Sequence, residues 1–96
     1  TTLFRSVQDA DRLDSIGAVG IARCLLTGAS FGAELYDPAD PWANNRELDD
    51  VAYSVDHFPK KLFKLAGMMQ TAAGRREAEK RTEFMRAYLE QLGSEI

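Results

Sequence analysis

The chain predicts an all-α domain. Apolar residues recur at three- and four-residue steps over most of its 96 residues, and no segment alternates apolar with polar as a half-buried strand does. The one long irregular stretch, which holds Pro38 and Pro41, separates two regions of helical pattern.

The first helix is predicted over residues 3–28. Val7, Ala10, Leu13, Ile16, Gly17, Ile21, Cys24 and Leu25 follow a helical step, and Gly17, Ala18, Gly20 and Ala22 keep its middle thin. Each interior glycine costs about 1 kcal/mol relative to alanine, so a closely packed backbone is expected alongside. Thr27-Gly28 and Gly32 supply its stop signals. Residues 29–48 read as a loop, with Trp42 as the side chain that pins it to the body. A second helix is expected over 56–69, with Asp56 as N-cap, Pro59 in the first turn and Phe58, Leu62, Leu65 and Met69 facing the core. A third is expected over 71–94, capped by Thr71. Its apolar side is Ala78, Phe84, Met85, Tyr88, Leu89 and Leu92, and its outer face mixes charges.

Composition excludes several classes. A 45% apolar and 28% charged chain is that of an ordinary globular domain, and its length allows one domain with a modest core. A net charge of −3 argues against a nucleic-acid binder, which carries a basic excess. No apolar run approaches the ~20 residues of a membrane span. A single cysteine, Cys24, forms no internal disulfide and reads as a small core residue, so the cytoplasm is the expected compartment.

The sharpest chemical lead is Asp9-Ala10-Asp11-Arg12-Leu13-Asp14, three carboxylates on one predicted helix. A buried carboxylate is costly unless it is paired or binds a cation. Asp11 and Asp14 share a face, and Asp11 follows Val7 by four residues, on the stripe expected to face inward. Asp9 is turned about 200° away from Asp11. Spacing alone leaves two roles open for Asp11, a metal ligand or the partner of an arginine. His57, Lys61 and Lys64 stand at i, i+4 and i+7, a stripe able to hold phosphate by charge or simply to be solvated. Beside the aspartates, Arg12 and Arg23 are polar residues of the first helix suited to structural pairing. Arg23 is the one also placed to meet a substrate phosphate.

The run Asp9-Ala10-Asp11-Arg12-Leu13-Asp14 with Ile16-Gly17-Ala18-Val19-Gly20-Ile21-Ala22-Arg23 resembles the C-terminal half of an HD-domain metal-dependent phosphohydrolase. So do Leu35-Tyr36-Asp37-Pro38, His57-Phe58-Pro59-Lys60-Lys61-Leu62 and Glu83-Phe84-Met85, in order along nearly the whole chain. The resemblance implies a helical HD-type bundle acting on a small phosphorylated substrate, such as a nucleotide. It also implies a divalent metal (Mn, Fe, Ni, Co, Zn or Mg) held by one His, a His-Asp pair and a later Asp. That later Asp matches Asp11, with Asp9 second if the register differs. His57 and Lys61 fall in a family motif, which makes them, with Arg23, the expected substrate contacts.

The chain departs from the pattern in one respect. It has one histidine and no His-Asp dipeptide. Residues 1–96 are therefore expected to be the C-terminal part of a single HD domain, with the imidazole ligands encoded before Thr1, or else a degenerate protein without activity. The rival reading is an inactive helical module for partner binding or homo-oligomer formation.

Overall fold

In the computed structural model, which describes residues 1–96, the chain is all-α, with four α-helices and no strands. They are α1 (Thr2–Leu13), α2 (Gly17–Ser30), α3 (His57–Lys60) and α4 (Ala72–Glu95), with 3-10 segments at Ser54–Asp56 and Leu62–Met68. Three of the four are long, but they are not the three expected.

The predicted first helix is two. The break lies at Asp14–Ile16, where Gly17 takes φ +76°, a conformation that side chains other than glycine's rarely adopt. Gly20 permits the tight return, since a Cβ there would collide with the Ser15 backbone. The guanidinium of Arg81 spans the break, donating to the Leu13 carbonyl at 2.7 Å while pairing with Glu77 at 2.8 Å. α2 also runs past the expected stop. Gly28 is buried inside it because Ser54 Oγ occupies the place of a Cβ, and the reversal comes at Gly32, φ +85°.

The predicted second helix is broken as well. Asp56 is not an N-cap: its backbone is already helical and its side chain bonds elsewhere. Only His57–Lys60 is α-helical. Lys61 (φ −133°) then diverts the chain into the looser Leu62–Met68 segment. Pro59 sits in the short α-turn, where its missing N–H costs nothing. The third prediction holds. Thr71 caps α4 by accepting from Gly74 N at 2.9 Å, and the helix runs to Glu95.

Ile16, Ile21, Phe58, Leu62, Met69, Ala78 and Met85 form one buried cluster between α2, α4 and the 57–69 segment. Phe58 is its centre, edge-on to Phe63 and stacked with Tyr88, both at 6.2 Å. Phe84, expected inside, is exposed. The loop after α2 is closed at its base by a single parallel bridge between Glu34 and Tyr53. Within it Asp40 accepts from the Asn44 and Asn45 N–H groups. Trp42 lies over Gly93 near the end of α4, though its ring remains 41% exposed.

Candidate functional site

A cleft of about 370 Å³ opens between α2 and the 50–62 segment. Arg23, Cys24 and Phe31 form one side, and Asp50, His57 and Lys61 the other. Three of the expected substrate contacts, Arg23, His57 and Lys61, thus come together across the fold, 34 residues apart in sequence between Arg23 and His57. Lys64 does not join them; the break at Lys61 turns it outward to solvent. Arg23 is exposed and forms no ion pair, whereas the sequence favoured structural pairing for it. Arg12, also on the expected first helix, does take a structural role, donating to the Met68 carbonyl at 3.0 Å.

Asp50 organises the far wall. Its carboxylate meets His57 Nδ1 at 2.8 Å, Lys60 Nζ at 3.3 Å and Lys61 Nζ at 3.7 Å. The His57 hydrogen bond, with the two lysines, holds the Asp50 carboxyl down to about 2 against partial burial. An ionised Asp50 fixes the imidazole with Nδ1–H donating, which leaves Nε2 free of protein partners. Cys24 is half-buried, its thiol directed to the Ser54 carbonyl at 3.7 Å. Burial, and then the charge of Asp50, push that thiol up; Cys24 lines the cleft while also packing against the core expected for it.

Behind this wall lies an ion cluster that sequence reasoning missed. Arg46 grips the buried Asp56 through both terminal nitrogens (2.6 and 3.3 Å), pairs with Asp37 at 3.1 Å and lies over the Tyr53 ring at 4.5 Å. Its guanidinium is held even more firmly charged than usual, chiefly by Asp56. Asp56 also accepts from Asp49 N at 2.8 Å. One buried carboxylate therefore anchors the residue before Asp50 and is itself the residue before His57. No local signature marks this set, because its members are about ten residues apart within a loop.

On α1 the structure reverses the expected orientation of the carboxylates. Asp9 is the only buried residue of the helix, and Asp11 is exposed. Asp9 accepts from Gln70 N (2.7 Å), Thr71 N (2.9 Å) and Thr71 Oγ1 (2.6 Å). It so ties α1 to the head of α4. The Gln70 N–H, then the Thr71 hydroxyl, lower its carboxyl below the ordinary range. Gly74 leaves the room it needs. The inward stripe was misplaced because Val7, taken as its first residue, is 51% exposed and lies beside the equally open Leu3 and Phe4. Phe4, Val7 and Asp11 fall at i, i+3 and i+7, so Asp11 closes an open apolar face.

That geometry separates the two metal candidates. Asp9 has its oxygens committed to three donors, whereas Asp11 and its neighbour on the same face, Asp14, are exposed. Of the two, Asp11 is the one whose carboxylate is open to solvent. No group of three or more His, Cys, Asp or Glu side chains converges anywhere in the chain, so a full coordination shell needs donors beyond these.

The helical fold is similar to that of an HD-superfamily hydrolase of known structure. The chain is 42% identical to an HD-superfamily hydrolase of Bacillus thuringiensis of known structure, with a TM-score of 0.79, covering 95% of this chain and 44% of that one. It is 43% identical to Bacillus subtilis YpgQ crystallised in complex with ADP, again with a TM-score of 0.79, over 96% of this chain and 43% of that one. The curated sequence of that relative, the uncharacterized protein YpgQ, is 41% identical over 92 residues, which is 39% of its length. On sequence and fold together the chain is similar to the HD-superfamily hydrolases, and it spans about two fifths of the length of the curated relative it matches. No family model matches it. No helix is long and apolar enough to cross a membrane.

Proposed function

We propose that residues 1–96 are the C-terminal part of an HD-type phosphohydrolase of the cytoplasm, acting on a phosphate ester or nucleotide with the help of a divalent metal. The observation that carries this is the cleft, where Arg23, His57 and Lys61 present cationic or proton-bearing groups to one shared space. The ADP bound to the Bacillus subtilis relative supports a nucleotide as the substrate class. Lys61, two-thirds exposed and only loosely paired with Asp50, is free to turn to a phosphate; Arg23 offers a planar fork from the opposite wall. Asp11 supplies one metal ligand from the open face of α1. When bound, the metal provides an acidified water and a polarised phosphoryl oxygen.

The test uses the natural gene product loaded with Mn2+ and a panel of nucleoside phosphates. Lys61→Ala is expected to raise KM roughly tenfold or more, the loss of one charge-assisted contact, with metal content unchanged. An unchanged KM would remove Lys61 from the site. The exposed Leu3, Phe4 and Val7 favour a second reading, an inactive module that docks a partner on α1. Absence of both metal uptake and turnover in the natural product would select it.

A further inference from the structure

Asp50 and His57 are more than two linings of a cleft. Asp50 is nine-tenths buried and ionised, and it accepts a hydrogen bond from Nδ1–H of His57 at 2.8 Å. The imidazole is one-third exposed, lines the cleft and has no partner at Nε2. The Arg46–Asp56–Asp49 cluster ties together the residues that precede each member of the pair. An imidazole with one nitrogen locked to a carboxylate and the other open to a cationic cleft is built to pass a proton at that open nitrogen.

We propose that Asp50 and His57 form a proton-transfer dyad, with His57 as the catalytic acid for the leaving group of the phosphate ester and Asp50 as its positioning residue. This rests on the phosphohydrolase reading. In the step, the oxygen of a water molecule bonds to phosphorus and the water's proton goes to solvent. The bond from phosphorus to the leaving oxygen breaks with its electron pair on that oxygen, which takes the proton from Nε2. Solvent entering the open cleft then returns a proton to Nε2. The groups facing the imidazole are Asp50 from the loop, Lys60 and Lys61 beside it, and Arg23 and Cys24 across the cleft. Asp50 favours the imidazolium and the three cations oppose it.

The experiment compares His57→Gln and Asp50→Asn with the wild-type natural gene product, Mn2+-loaded, on two substrates. One is an alkyl phosphate with a poor leaving group; the other is p-nitrophenyl phosphate, whose phenolate leaves unaided. His57→Gln is expected to lower kcat on the alkyl ester about 100-fold, in the range for general acids, and on p-nitrophenyl phosphate less than about 10-fold. In the metal-free protein, NMR titration of the His57 ring is expected to shift to lower pH in Asp50→Asn, since the imidazolium loses its counter-charge. Equal losses on both esters, or an unmoved His57 titration, would overturn the dyad while leaving the phosphohydrolase reading intact. A wild type that hydrolyses neither ester nor any nucleotide would overturn both.

Discussion

Asp9 and Asp56 are both buried carboxylates, and each joins segments distant in the fold, yet they are satisfied in different ways. Asp9 has no cation in hydrogen-bonding contact and takes its protons from two backbone amides and a hydroxyl at the head of α4. Asp56 takes a bidentate guanidinium and one amide. The first solution makes a helix cap in trans, neutral except for the carboxylate itself. The second places a full positive charge in a semi-buried loop, so that removing either partner strands the other. The exposed carboxylate two residues from Asp9 has neither kind of partner. In this molecule, the buried carboxylates that tie segments together are the ones whose lone pairs are filled, and Asp11 is exposed to solvent.

The contrast orders the expected effects. Asp56→Ala strands Arg46 among backbone and ring and frees the Asp49 amide. It is expected to cost about 3 kcal/mol in denaturant unfolding, at the low end for a broken buried pair because Arg46 keeps Asp37 and partial solvent contact. A loss below 1 kcal/mol would show that the cluster contributes little. Asp9→Ala leaves two amides and the Thr71 hydroxyl without an acceptor. The expected loss is about 2 kcal/mol, with faster hydrogen exchange at Gln70 and Thr71. Unchanged exchange there would mean that α4 caps itself.

Asp50 gives a pH-dependent version of the same logic. Its folded carboxyl sits near 2 against an ordinary 3.8, so the unfolded chain takes up the proton first as pH falls. The contribution is therefore complete above about pH 4 and is lost as pH drops toward 2, amounting to roughly 2 kcal/mol. Comparing wild type with Asp50→Asn across that window checks it: the two stability curves should converge at the acid end. Parallel curves would contradict the pairing with His57 and the lysines.

How much of this was legible in the sequence varied with the kind of signal. α4 was readable to within a residue because a threonine cap and an uninterrupted pattern agree. The α1–α2 break was not, since Gly17 and Gly20 suit a thin helix as readily as a left-handed turn with a close return. Carrying the helical period through that break, and counting Val7 as core, turned α1 the wrong way and exchanged the places of Asp9 and Asp11. The fold class survived these errors, as did the grouping of Arg23, His57 and Lys61, because motif residues marked them directly. Asp50 and Arg46 left no trace, since pairs seven to ten residues apart in a loop obey no period.

The claim on which the functional account depends is that Asp11, exposed and unpartnered, is a metal ligand rather than a surface charge. Its most direct test is the Mn2+ content and thermal stability of the natural gene product carrying Asp11→Asn. The account predicts an apo-protein melting within the range of a neutral surface substitution, about 0.5 kcal/mol, together with loss of bound metal. Full metal occupancy in the variant would contradict it.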